Sequence, residues 1–175
     1  GYQPKSRLKA NNGANKGDVL LTDQLLGQAL LGFEVLRLEE EPNKSLNFNT
    51  YIRAFKYPQP EALLGAWLST WKEVTSVTDV SDGLFKELSH LSDMLKAQIE
   101  LSELPISKDF SNHCNALKLN PEEIYLKGGE DYALLWTVKT EVLNEFLKAY
   151  QIKFKKRPYI LGRLRSTFNK EKVKN

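Results

Sequence analysis

Thr75-Ser76-Val77-Thr78-Asp79-Val80-Ser81-Asp82-Gly83, followed by Leu84, Leu88, Leu91 and Leu95, is the stretch from which the architecture can be read. Residues 75–80 are rich in β-branched side chains and predict a strand, while leucines recurring at helical spacing predict a helix directly after Gly83. A strand that turns within three residues into an amphipathic helix is one unit of a layered α and β fold. Outward from it the same alternation repeats. Asp18 to Thr22 predicts a short buried strand and Leu25 to Leu38 a helix, closed by Glu39-Glu40-Glu41 and Pro42. After a loop at Asn43, Lys44 and Ser45, a short helix around Tyr51 to Phe55 and a second over Glu61 to Trp71 are expected to cover one sheet face. Downstream come a strand at Ala97 to Leu101, a helix over Ser107 to Leu117 opened by an N-cap serine, and a short helix over Pro121 to Leu126 begun by proline. Tyr132 to Val138 predicts a strand, Thr140 to Tyr150 an amphipathic helix and Tyr159 to Leu164 a last strand.

The composition bounds what such a chain can be. At 175 residues, with 41% hydrophobic and 27% charged residues, it has the makings of one hydrophobic core. The net charge of +3 comes from lysines concentrated near the end: Lys153, Lys155, Lys156, Lys170, Lys172 and Lys174. No aromatic residues alternate with them, so the reading is a solvated basic tail over 166–175 and no nucleic acid partner. The single cysteine, Cys114, excludes an internal disulfide framework and suits a reducing cytoplasm. No apolar run approaches the roughly 20 residues a membrane helix needs, so a soluble protein is expected. Residues 1–16 are polar and without period, a linker ahead of a domain at 17–165.

Two acidic turns could carry chemistry. Asp79-Val80-Ser81-Asp82-Gly83 sets two carboxylates and a hydroxyl at a strand-to-helix junction, where the first helical N–H groups are unpaired. Mg²⁺ takes one or two carboxylates plus phosphate oxygens, so Asp79 and Asp82 suit the metal while Ser81 and the helix start suit the phosphates. The plainer reading makes Ser81 an N-cap and leaves Asp82 in the helix dipole. Gly128-Gly129-Glu130-Asp131-Tyr132 repeats the pattern, a permissive glycine pair before two carboxylates, and can equally be a helix C-cap with a polar turn. His90 and His113 are expected to be surface or satisfied residues, and Trp67, Trp71 and Trp136 to serve the core.

Thr78 to Leu84 with Glu87-Leu88 and His90-Leu91 resembles the D-[VI]-S-D-G-L…DL-x-H-[IL] signature of thiamine-monophosphate kinases. Gly13-Ala14-Asn15-Lys16-Gly17-Asp18, Tyr57-Pro58-Gln59-Pro60, Leu104-Pro105-Ile106-Ser107, Lys127 to Leu135 and Ile160-Leu161-Gly162-Arg163 are similar to further motifs of that family, in its order. The resemblance implies an α+β fold, the C-terminal domain of the AIR synthase-related (PurM-like) superfamily, with a mixed sheet and helices on its faces. It implies transfer of the ATP γ-phosphoryl group to thiamine monophosphate with Mg²⁺, in a cytoplasmic enzyme whose N-terminal domain supplies the other aspartates and whose whole form is a homodimer. Asp79 and Asp82 then become catalytic metal ligands, and Ser81, Asp82, Gly83, Gly129, Glu130 and Asp131 contacts to phosphate or substrate. Asp23-Gln24-Leu25-Leu26-Gly27 stands where the family has G-T-L-G-D, Ala133 replaces a glutamate, and the family's aromatic ending is replaced by lysine-rich sequence. Alternatives are a selenophosphate synthetase-like or hydrogenase-maturation-like enzyme, or a non-catalytic binding module.

Overall fold

A computed structural model describes residues 12–38 and 46–165. The acidic close of the first helix, the loop at 43–45, most of the expected linker and the basic tail lie outside those residues. Five strands, β1 (Val19–Thr22), β2 (Val74–Val80), β3 (Gln98–Leu101), β4 (Ala133–Val138) and β5 (Tyr159–Arg165), form one sheet in the order β2-β4-β1-β5-β3. Among the described residues seven α-helices accompany them: α1 (Gln28–Arg37), α2 (Asn49–Lys56), α3 (Ala62–Leu68), α4 (Leu84–Leu95), α5 (Lys108–Ala116), α6 (Pro121–Lys127) and α7 (Leu143–Phe154).

The α+β class is as expected, but the sheet is not mixed: all four pairings are antiparallel. The cause lies in how the crossovers land. β4 and β5, joined through α7, run in the same direction, yet β1 lies between them and pairs antiparallel with both. β2 and β3, joined through α4, occupy opposite edges. Strand–helix–strand alternation is therefore visible in the sequence, whereas the strand that slots into each crossover is not.

Alternating side chains of the strands feed two cores. Leu20, Val80, Ala133, Leu135 and Leu161 pack against the leucine stripe of α4 and Tyr125 of α6. On the other face Val19, Leu21, Trp136 and Val138 meet α3 and α7 through Leu64, Leu68, Phe146 and Tyr150. Each fully buried side chain of this size contributes about 1.5–3 kcal/mol relative to exposure. The three tryptophans belong to this second core, as expected. A third cluster, with Leu31, Val35, Tyr51, Phe110 and Cys114, joins α1, α2 and α5. The expected covering of one face by the second and third helices is thus corrected: α3 partners α7, and α2 packs on α1 because its Tyr51 ring is buried in the third cluster.

Candidate functional site

The junction after β2 is built around Gly83, which caps α4 at φ +97°. A Cβ there would lie 2.7 Å from the Lys127 carbonyl oxygen, so only glycine brings the start of α4 against the end of α6. No side chain caps α4. The N-cap reading of Ser81 is therefore overturned: Asp82 and Gly83 still precede the first helical residue, and Gly83 is the cap. The backbone carbonyl of Ser81 instead accepts a hydrogen bond from Glu130 N–H at 2.8 Å. Gly129 fits beneath the same carbonyl, and a Cβ on it would come within 2.4 Å of that oxygen. Two turns separated by almost fifty residues are thereby one structure. Gly128 closes α6, its N–H donating to Ile124 O at 2.9 Å, as the C-cap reading expected.

Of the residues singled out in the sequence, Asp79, Ser81, Asp82, Gly83, Gly129 and Glu130 are brought to this end of the sheet. Asp79 is exposed opposite Leu134, and its carboxylate accepts no hydrogen bond from the described residues. Asp82 is exposed and forms an ion pair with Lys86, one helical turn on. Glu87 lies close enough to feel both aspartates: burial first, then the Asp79 charge, push its carboxyl above the usual range. Glu130 and Tyr132 both hold left-handed backbone, φ +65° and +52°, which is uncommon for residues with a Cβ. The bond to Glu130 raises the Tyr132 phenol, with the Asp79 charge adding to it.

Asp131 is placed differently from its neighbours. Only 7% exposed, it points inward and caps α1 from a distance. One carboxylate oxygen accepts from Gly27 N–H at 2.5 Å and the other from Ala29 N–H at 2.8 Å. Burial outweighs these bonds and lifts its carboxyl to about 6. The bonds explain why α1 starts at Gln28 rather than Leu25. Asp23 answers from the opposite side, buried and accepting from Leu134 N–H at 2.8 Å, with its carboxyl also pushed up to about 6 by burial. The turn that departs from the resembling family is thus held by two buried carboxylates, and Gly27, at φ +81°, still makes the close backbone approach, onto Gly128.

Beside the joined turns lies a cleft of about 530 Å³, walled by Leu30 and Phe33 of α1 and Phe55 of α2 and edged by Asp82, Lys86 and Glu130. The sequence reading gave no site role to Lys86, Glu87, Phe33 or Phe55. Lys86 could have been found from its helical spacing to Asp82. The two phenylalanines could not, since their meeting depends on how α2 docks on α1. Among the described residues no group of three or more His, Cys, Asp or Glu side chains is placed to hold a metal ion. Asp79 and Asp82 are hard-oxygen donors that fit part of a Mg²⁺ shell, which characteristically keeps water and substrate oxygens as further ligands.

The five-stranded sheet with its helices matches solved structures of one class, the AIR synthase-related (PurM-like) fold. Thiamine monophosphate kinase from Aquifex aeolicus superposes with a TM-score of 0.74 at 28% identity, covering 91% of this chain and 51% of that one. AaThiL complexed with AMPPCP and TMP superposes with a TM-score of 0.73 at 28% identity, over 90% of this chain and 48% of that one. An Escherichia coli hydrogenase maturation protein shares the fold, with a TM-score of 0.69 at 19% identity over 91% of this chain and 47% of that one. In sequence, the chain is 31% identical to thiamine-monophosphate kinase of Aquifex aeolicus over 148 residues, 83% of this chain and 47% of the relative. It is 31% identical to that of Bacillus subtilis over 161 residues, 87% and 47% of the two chains. No family model matches. The chain is a homologue of the thiamine-monophosphate kinases and spans about half the length of these relatives. No helix among the described residues is long and apolar enough to cross a membrane.

Proposed function

We propose that this chain is the C-terminal half of an ATP-dependent thiamine-monophosphate kinase. The observation that carries the reading is the hydrogen-bonded union of the Asp79–Gly83 and Gly128–Tyr132 turns, which brings the exposed carboxylates of Asp79, Asp82 and Glu130 to one end of the sheet. Phosphoryl transfer depends almost wholly on positioning and on electrostatic stabilisation of the transferred group. In this reading Asp79 and Asp82 hold part of the Mg²⁺ shell, and Mg²⁺ when bound neutralises charge on the phosphates. Ser81 Oγ and the open N-terminus of α4 offer donors to phosphate oxygens, Gly83 and Gly129 let backbone approach, and Glu130 lines the substrate side. Asp131 serves by fixing α1, one wall of the cleft, and not by touching the substrate. An N-terminal domain of the same protein would supply the remaining aspartates and much of the nucleotide site, the whole enzyme acting as a cytoplasmic homodimer. The homologous kinases support this more than the selenophosphate synthetase-like, hydrogenase-maturation-like or binding-module alternatives.

The test joins this chain to the N-terminal half of the Aquifex aeolicus kinase and follows thiamine diphosphate formation from thiamine monophosphate, ATP and Mg²⁺. The chimera is expected to turn over while the 175-residue chain alone does not. A folded chimera without activity, or measurable turnover by the isolated chain, would count against the reading.

A further inference from the structure

The two edges of the sheet differ in what lies against them. Along β2 the residues before β1 pack on the strand: a Cβ on Gly13 would come 2.1 Å from the Thr75 carbonyl oxygen, and the Asp18 carboxylate accepts from Thr75 Oγ1 at 2.6 Å. At the opposite edge, β3 pairs only with β5 among the described residues. Ser102 N–H donates to Leu161 O at 2.8 Å, and antiparallel bonds recur at every second residue, so Gln98 and Glu100 also bond inward. The N–H and C=O groups of Ile99 and Leu101 therefore face away from the sheet, and no hydrogen bond with another described residue uses them. Ile99 packs on the first core, which fixes the strand, while Leu101 keeps 37% of its surface exposed. A strand edge with outward, unpaired donors and acceptors is a template for another extended segment.

Where β3 ends, this edge runs into a groove of about 650 Å³. Ser102 begins it, Leu104, Ile106 and Pro121 give its apolar part, and Glu103 and Glu122 bring two carboxylates. Both glutamates are exposed, neither forms an ion pair among the described residues, and no lysine or arginine lines the groove. Nearby Glu100 and Glu123 are already matched, by Arg165 and Lys127. Uncompensated negative charge is thus confined to the groove. A second copy of β3 added edge to edge would bring its own Glu103 toward this charge, and like charges facing each other across a ladder destabilise it.

We infer that the β3 edge and the groove beyond it form a docking surface for an extended basic segment of a partner protein, which adds to β3 as a further strand and sets lysine or arginine side chains against Glu103 and Glu122. Backbone pairing with Ile99 and Leu101 supplies the register, and the two carboxylates select the partner by charge. β3 and β2 are opposite edges of the sheet, so this surface lies away from the acidic turns and does not depend on the kinase reading.

The experiment is fluorescence anisotropy of the 175-residue chain with three labelled peptides: one alternating lysine and threonine, one alternating glutamate and threonine, and the lysine form with its backbone amides N-methylated. The unmodified lysine peptide is expected to bind on the order of tenfold or more tighter than either of the others. Glu103→Gln combined with Glu122→Gln should weaken it by about fivefold and leave the circular dichroism and melting temperature unchanged. Hydrogen exchange at the Ile99 and Leu101 amides, followed by NMR, should slow by about tenfold or more in the complex. Equal binding of the methylated or the glutamate peptide, an unchanged affinity in the doubly substituted chain, unprotected Ile99 and Leu101 amides, or no binding at all would overturn the inference. So would dimerisation of the chain, seen by light scattering, that protects those two amides, since the occupant would then be a second copy.

Discussion

Asp131→Asn is the substitution through which the account of the second turn can be worked out in most detail. The wild-type carboxylate accepts from Gly27 N–H and Ala29 N–H with separate oxygens, in a nearly fully buried position. An amide of the same shape keeps one acceptor and turns an NH₂ group toward the other N–H, as the protonated carboxyl turns its O–H, so Asn stands in for the neutral form of Asp131 at every pH. The pH dependence gives the signature. The folded carboxyl titrates at about 6, above its ordinary value of 3.8, so the folded state holds this proton more tightly than the unfolded chain does. The stability linked to this is fully present below pH 3.8 and is lost as pH rises through 6. A rise of this size corresponds to roughly 3 kcal/mol between those limits. Asp131→Asn should therefore lie within about 1 kcal/mol of wild type below pH 4, and the wild type should fall relative to it between pH 4 and 7 as its proton-linked advantage is lost. Urea unfolding at half-unit pH steps measures both curves. Parallel curves across that window would refute the placement of Asp131 as a buried cap.

Other positions give sharper single answers. Ser81→Ala should leave stability within about 0.5 kcal/mol of wild type, since Gly83 caps α4, whereas Ser107→Ala should cost about 1 kcal/mol because Ser107 Oγ accepts from Phe110 N–H at 3.1 Å; thermal unfolding of the two variants side by side tests this. Gly129→Ala should destabilise the chain by several kcal/mol or prevent folding, as its Cβ would sit 2.4 Å from backbone oxygen, and a melting temperature within a few degrees of wild type would show that the turns are not joined there. The Cys114 thiol, buried and pushed up to about 11, should resist a thiol reagent at pH 8 until the chain unfolds, and rapid labelling of the folded chain would contradict its burial.

Much of this was legible in the sequence because it depends on local rules. The Leu84-Leu88-Leu91 stripe, the Ser107 cap and Pro121 at the start of α6 are all short-range signals, and each element they predict is present within a few residues. The strand order was not legible, since nothing in β1 says that it will separate β4 from β5. At the site, the residue types identified both acidic turns, but their roles depended on long-range backbone contacts. Asp131 reads like Glu130 beside it, yet two N–H groups about a hundred residues away draw it inward and leave Glu130 outside. Ser81 reads like a cap until the left-handed Gly83 displaces the start of the helix. The cleft wall was the least visible, because Phe33 and Phe55 meet only through the docking of α2 on α1.

Asp79→Asn tests the central claim most directly, measured at once as unfolding of this chain and as steady-state turnover of the two-domain protein. Asp79 is exposed, and its carboxylate accepts no hydrogen bond from the described residues, so stability should stay within about 0.5 kcal/mol of wild type. Removing a charge that holds metal and phosphate should lower kcat by on the order of 10²-fold or more, roughly 3 kcal/mol of transition-state stabilisation. Near-normal turnover together with clear destabilisation would contradict the account and make the Asp79–Gly83 turn a structural element.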